Sequence, residues 1–149
     1  MCCKCYNNDM KQQDIYENVQ PVIYSIGHSN RSFDEFQKLL FNAGIQTVID
    51  CRSRPRSRFP QFNQNRLQSN LADSSIYYEF KGDNLGGLGT NVDQVETIDD
   101  LSERVKLGEC IVLMCSEGNP ANCHRSSVLA PLFESKGLVV CHLLYEGMK

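Results

Sequence analysis

"VIYSIGHSNRSFDEFQKLLFNAG", residues 22–44, changes its hydrophobic period halfway along. "VIYSI" is a short apolar run of strand length that ends in the polar turn "GHSN". From residue 32 onward Phe33, Phe36, Leu40 and Ala43 fall on one helical face. Ser32 and Glu35 stand at capping-box spacing, and Gly44 is a natural helix stop. The stretch therefore reads as strand, turn, helix.

The same unit recurs downstream. "QTVID" (46–50) is a second strand, followed by an arginine-rich loop and a helix with Asn63 as its expected cap and Leu67 and Leu71 facing inward. "IYYEF" (76–80) is a third, followed by a glycine-rich, acidic loop and a short helix expected to begin after Thr97. "CIVLMC" (110–115) is a fourth, leading into a helix expected over Pro120–Lys136 with Asn119 as N-cap, and "VVCHLL" (139–144) is a fifth. Alternating β and α elements with continuous apolar strands predict an α/β three-layer sandwich. Its five-stranded, mainly parallel sheet would carry helices on both faces, a Rossmann-like arrangement. The first and fourth strands are expected to be neighbours. Residues 1–20 are polar and aperiodic and read as a tail, leaving 21–149 as a single α/β domain.

Composition narrows the class. The chain has 149 residues, enough for one domain that buries roughly 70% of its unfolded surface. The apolar fraction is 41%, and no run approaches the ~18 residues of a membrane span. The start "MCCKCYNNDMKQQDIYENVQ" lacks the basic lead and apolar stretch of a signal peptide, so a cytoplasmic protein with no membrane partner is expected. In that setting the eight cysteines read as reduced thiols rather than a disulfide framework. The net charge of −3 argues against a general nucleic-acid binder, but five arginines (52, 54, 56, 58, 66) fall between Cys51 and Ala72 with no acid among them. A basic pole follows.

In an open parallel sheet, ligands bind outside the carboxyl ends of the strands where the strand order reverses. After the first strand come Gly27, His28, Ser29 and Asn30; after the second, Asp50, Arg52, Arg54 and Arg56. After the third come Asp83, Asn84 and a "GGLG" stretch; after the fourth, Cys115, Glu117, Cys123, His124 and Arg125. The polar inventory converges on one edge.

Taken in order, "IGHSN", "DCRSRPRSRFPQF", "LGG" and "CSEGNPANCHRS" resemble the domain-of-unknown-function family 488, over a span from about Ile23 to the last strand. The pattern falls on Gly27, His28 and Ser29; on Asp50, Arg52, Pro55, Ser57 and Arg58; on Leu85, Gly86 and Gly87; and on Cys115, Glu117, Pro120, Cys123, His124 and Arg125. Cys51 replaces a usually apolar residue, and "LGTNVDQ" lacks the basic residue and aromatic insertion that related sequences carry after "LGG". The resemblance implies a small cytosolic α/β domain and names no particular reaction.

The chemistry of these residues supports a ligand that bears a phosphate or is nucleotide-like, held at the carboxyl edge of the sheet. Unpaired N–H groups and the helix dipole at a helix start favour an anion and lower the pKa of a thiol placed there. The expected catalytic set is His28, Asp50, Cys115, Cys123 and His124. The expected ligand- or phosphate-binding set is Ser29, Arg52, Arg58, Gly86, Gly87, Glu117 and Arg125. Together they suggest a Cys/His-dependent hydrolase or transferase on a nucleotide-like substrate.

Two spacings count against familiar versions. Arg125 stands ten residues after Cys115, where a cysteine phosphatase wants six, and the zinc deaminase signature is absent. Two alternatives remain, the second with a redox pair of Cys115 and Cys123 as its variant. The arginine loop, with Phe59 and Phe62, can track a nucleic-acid strand. Cys115, Cys123, His124 and His28 can form a Cys/His metal-binding domain, although no metal ligand set and no cofactor is assigned.

Overall fold

A computed structural model of the chain describes residues 20–88 and 91–147. The expected tail, with its "CCKC", therefore lies outside the described residues except for Gln20. Five strands, β1 (Val22–Gly27), β2 (Thr47–Asp50), β3 (Tyr77–Phe80), β4 (Ile111–Cys115) and β5 (Val139–His142), form one sheet in the order β3-β2-β4-β1-β5. Every pairing is parallel, and Gly27 stands opposite Cys115 in the β1–β4 register. The expected fold class and the adjacency of first and fourth strands are both present. Among the described residues no helix is long and apolar enough to cross a membrane.

Alternation along the strands builds two cores. Tyr24, Ile26, Val48, Val112 and Met114 face one side, where they meet Phe36 and Leu40 of α1 (Phe33–Ala43) and Leu67 and Leu71 of α2 (Gln64–Asp73). Ile23, Ile49, Cys51, Ile111 and Leu113 face the other. There they meet Leu85 of the single turn α3 (Gly82–Leu85), Ile98, Leu101 and Val105 of α4 (Gln94–Lys106), and Phe133 of α5 (Ala130–Glu134). Each fully buried Leu or Phe contributes about 1.5–3 kcal/mol, so both helix layers are held by packing rather than by helix propensity.

The caps explain most of the boundaries. Ser32 Oγ accepts the Glu35 N–H at 3.2 Å, and Gly44, at φ 71°, returns its N–H to Leu40 and Phe41. That left-handed residue closes α1 as the sequence predicts. Asn63 precedes α2 as expected, but its side chain accepts the Ser57 N–H at 2.7 Å instead of capping, which ties the arginine loop to the helix start. The fourth helix starts at Gln94, three residues before Thr97. Thr97 lies inside the first turn, with its hydroxyl donating to the Asp93 carbonyl at 2.8 Å.

The helix expected over Pro120–Lys136 is broken. Pro120–Asn122 is one 3-10 turn, with Asn119 accepting the Ala121 N–H; Cys123 is extended (φ −128°, ψ 144°); Arg125–Leu129 is a π segment; and α5 then runs from Ala130. Pro131 accounts for the π segment. It has no N–H to return to the preceding turn and its ring crowds the carbonyl four residues back, so the ladder widens and Ala130 N–H bonds Arg125 O.

Cys51, Cys115 and Cys123 are free thiols, as expected for reduced cysteines; Cys110 is disulfide-bonded, against that expectation.

Candidate functional site

The ends of β1, β2 and β4 lie side by side, and their loops form two adjoining clefts. One, of about 370 Å³, lies between the loops after β2 and β4 and is lined by Cys51, Arg54, Gly87, Cys115, Cys123 and His124 among others. The other, of about 530 Å³, is lined by His28, Ser29, Arg56, Arg58, Glu117 and Gly118 among others. His28 N–H donates to the Cys115 carbonyl and Ser29 N–H to that of Ser116, each at 2.9 Å. This fixes the first loop against the fourth. Gly27 permits the approach: a Cβ there would stand 1.7 Å from the Glu117 carbonyl oxygen.

Sheet alternation splits the predicted residues into two groups. Asp50, Arg52 and His28 project toward the layer of α1 and α2. Asp50 is fully buried and accepts Arg52 Nε at 2.9 Å, Arg52 Nη2 at 2.8 Å and the Tyr78 hydroxyl at 2.5 Å. Arg52, only 5% exposed, gives Nη1 to the Phe62 carbonyl at 2.7 Å and meets His28 Nε2 at 3.5 Å. Asp50, expected in the catalytic set, is paired inside the protein, and Arg52, expected to bind phosphate, directs Nε and Nη2 to Asp50 and Nη1 to the Phe62 carbonyl.

His28 stacks on Phe62 with ring centroids 4.4 Å apart, and its Nδ1 lies 2.8 Å from the Ser29 carbonyl. A carbonyl only accepts, so Nδ1 carries the proton and Nε2 faces the Arg52 guanidinium as an acceptor. Burial, followed by repulsion from Arg52, pushes its pKa down to about 4. The backbone bond to Ser29 and the Asp50 charge act the other way.

The unfolded histidine takes up its proton near pH 6.5 and the folded one only near 4. Stability is therefore fully present above 6.5 and falls with pH through that window, by about 3 kcal/mol in total. Urea unfolding between pH 7 and 4 should show a loss in the wild type that is largely absent in His28→Gln. An identical pH slope in the variant would remove His28 as its source.

The second group lies on the opposite side. Cys115 and Cys123 place their sulfurs 2.9 Å apart. Arg125, 1% exposed, donates Nη1 to Cys115 Sγ and to the Glu117 carbonyl, each at 2.5 Å, and Nη2 to the Gly118 carbonyl at 3.2 Å. Among the described residues it has no carboxylate partner, and its buried Nε has no hydrogen-bond partner at all. Arg125, expected to bind ligand, is thus a buried charge seated on the Cys115 thiol and two backbone carbonyls.

His124 places Nε2 2.9 Å from the Leu85 carbonyl and Nδ1 3.8 Å from Cys123 Sγ. Nε2 must donate, so Nδ1 is the nitrogen that exchanges a proton with the thiol. The hydrogen bond from Cys115 is the main influence lowering the Cys123 pKa, against burial, with His124 and Arg125 acting in the same direction. The Cys115 pKa moves up, because its proton is held in that bond and it is desolvated. The contact with Cys123 raises the pKa of His124. The arrangement favours a single thiolate on Cys123 beside a charged imidazole.

The remaining expectations divide. Gly86 and Gly87 permit close packing: a Cβ on Gly86 would lie 2.0 Å from Ser53 Oγ, and one on Gly87, which lines the first cleft, 3.1 Å from His124 Nδ1. Ser29 adopts φ 53° at the rim of the second cleft, where Arg58 is exposed and lies over the Phe59 ring. Glu117 is exposed and accepts the Asn119 N–H at 3.1 Å. Phe62 is fully buried and Phe59 packs on the core, so neither is a free stacking platform for a nucleic-acid base. Among the described residues no group of three or more His, Cys, Asp or Glu is placed to hold a metal ion.

Sequence reasoning missed the orienting roles of Tyr78 toward Asp50, of Phe62 toward His28 and Arg52, and of the Leu85 carbonyl toward His124. The tyrosine pair in "IYYEF" offered a signal for the first, since a strand with one exposed and one inward Tyr needs a partner for the inward hydroxyl.

The fold and site define a parallel α/β protein with a buried arginine–dithiol centre at the carboxyl edge of its sheet. The model of the family described as domain of unknown function DUF488 matches residues 32–96. The matched residues carry the arginine loop and the "LGG" motif; "GHS" and the dithiol lie outside them. No curated protein and no solved structure matches the chain.

Proposed function

We propose that the protein is a thiol-dependent hydrolase or transferase acting on a small phosphate-bearing or nucleotide-like molecule, with Cys123 as nucleophile and His124 as proton carrier. The observation that carries this reading is the buried Arg125 with no carboxylate among the described residues, whose guanidinium donates to Cys115 Sγ directly beneath Cys123 on the cleft wall. That cleft's size, about 370 Å³, suits a small ligand, and the exposed Arg54 on its wall supplies a cation for an anionic group. In the reaction the Cys123 sulfur attacks the electrophilic centre, and the leaving group departs with the proton of His124 Nδ1. Water, giving its proton back to His124, then cleaves the covalent intermediate and frees the thiolate.

The test is iodoacetamide alkylation at pH 6, followed by mass spectrometry, with and without a nucleoside monophosphate. Cys123 should react ahead of the other thiols, and the ligand should slow the reaction. Arg54→Ala should weaken that protection by ~1–3 kcal/mol, the scale of a charge-assisted hydrogen bond. Equal alkylation with and without phosphate-bearing ligands, up to millimolar concentration, would overturn the substrate class. An unreactive Cys123 would overturn the nucleophile.

A further inference from the structure

We infer that Cys115 and Cys123 form a hydroperoxide-reducing pair, in which Cys123 meets the peroxide and Cys115 resolves the product into a disulfide. This activity needs no phosphate-bearing ligand and goes beyond the proposed function, with which it shares only the Cys123 nucleophile and the His124 proton.

Three features of the geometry support it. The first is distance: sulfurs 2.9 Å apart need only a small further approach to reach the ~2.05 Å of a disulfide. Two thiolates on one zinc ion, with Zn–S bonds of ~2.3 Å in a tetrahedron, would stand ~3.8 Å apart. The spacing therefore fits a covalent pair better than a metal-bridged one.

The second is unequal access. Cys123 is half-buried on the cleft wall, while Cys115 is 4% exposed beneath it, so an oxidant entering the cleft meets Cys123 first. The third is the environment of the pair. Arg125 places a guanidinium against Cys115 and keeps a buried N–H without a partner, a fixed positive field where negative charge shifts during sulfur oxidation. Cys51 also lines the cleft, but it is fully buried and its thiol donates to the Ile49 carbonyl at 3.6 Å. It is not positioned to compete.

The Cys123 thiolate attacks the terminal oxygen of a hydroperoxide, the O–O bond breaks, and the departing alkoxide or hydroxide takes the proton of His124. Cys123 is then a sulfenic acid. The Cys115 sulfur attacks the Cys123 sulfur, the S–O bond breaks, and the hydroxide leaves as water with the Cys115 proton. One hydroperoxide is reduced to an alcohol or water, and two thiols are oxidised to one disulfide; an external dithiol supplies the two electrons that restore the pair.

The test treats the full chain, reduced beforehand, with one equivalent of hydrogen peroxide in the absence of any phosphate ligand. The expected product is a peptide pair linking Cys115 to Cys123 in a non-reducing digest. In Cys115→Ser the oxidised Cys123 should instead be captured as a dimedone adduct, and in Cys123→Ser peroxide consumption should fall at least tenfold. Absence of the Cys115–Cys123 peptide from oxidised wild type would overturn the inference, as would undiminished consumption in a folded Cys123→Ser variant. The wild-type digest decides even if a variant fails to fold. Phosphate-ligand binding to the reduced protein is measured separately, so failure of the peroxide reaction and failure of the proposed function are distinguishable.

Discussion

Replacing Asp50 by Asn is expected to lower stability by about 3–5 kcal/mol, a large part of the ~5–15 kcal/mol that holds a typical domain together. Asp50 is fully buried and accepts both Arg52 Nε and Nη2, together with the Tyr78 hydroxyl. An amide keeps the shape but turns one acceptor into a donor facing a guanidinium, and leaves the Arg52 charge buried without its counter-ion. Urea unfolding gives the number. The same logic predicts that Asp50→Leu combined with Arg52→Met recovers at least half of the loss, since removing both charges removes the desolvation penalty. A single-variant loss below 1 kcal/mol would mean that water reaches the pair and that the network is not structural.

Arg125→Met is expected to slow alkylation of Cys123 at pH 6 by about 10-fold, because the guanidinium charge adds to the larger influences of Cys115 and His124 that lower this thiol's pKa. The reason lies in charge balance. Arg125 is buried against two carbonyl groups and the Cys115 thiol, so its guanidinium charge favours the thiolate form of the neighbouring Cys123. Arg125→Lys keeps the charge and should retain most of the reactivity at low pH, which separates the electrostatic role from packing. Rates are read by mass spectrometry across pH 5–9, with circular dichroism to verify folding. A Met variant with an unchanged pH profile would show that the hydrogen bond from Cys115 and the contact with His124 suffice without the arginine.

Much of the fold was legible from local chemistry. The strand, turn and helix of residues 22–44 follow from a change of hydrophobic period, from Ser32 at the N-cap and from Gly44 at the stop, all interactions between residues a few positions apart. The boundaries that were misread depended on contacts invisible at that range. Thr97 resembles an N-cap, yet its hydroxyl bonds back to Asp93 within a helix already begun. The run from Pro120 to Lys136 has the composition of one helix, but Cys123 is turned out of it to meet Cys115, and Pro131 widens the next turn.

For the site, the sequence by itself determined which chemistry would gather at the carboxyl edge of the sheet and which strands would carry it there. Continuous apolar strands alternating with helices leave parallel strands with their ends on one side, whatever the details of packing. Only the tertiary structure decided how those residues divide. Successive residues of a strand point to opposite faces, so Asp50 and Arg52 turn inward beneath α2 while Cys51 turns to the other core. Arg52 and Arg125 are the same residue type in equally polar motifs, and nothing local separates them. The acid at Asp50 neutralises one, and the absence of a carboxylate beside the other is set by which loop lies over Gly27, a contact between segments about ninety residues apart. Burial and partner together, not residue identity, make the first arginine structural and the second the counter-charge of a thiol.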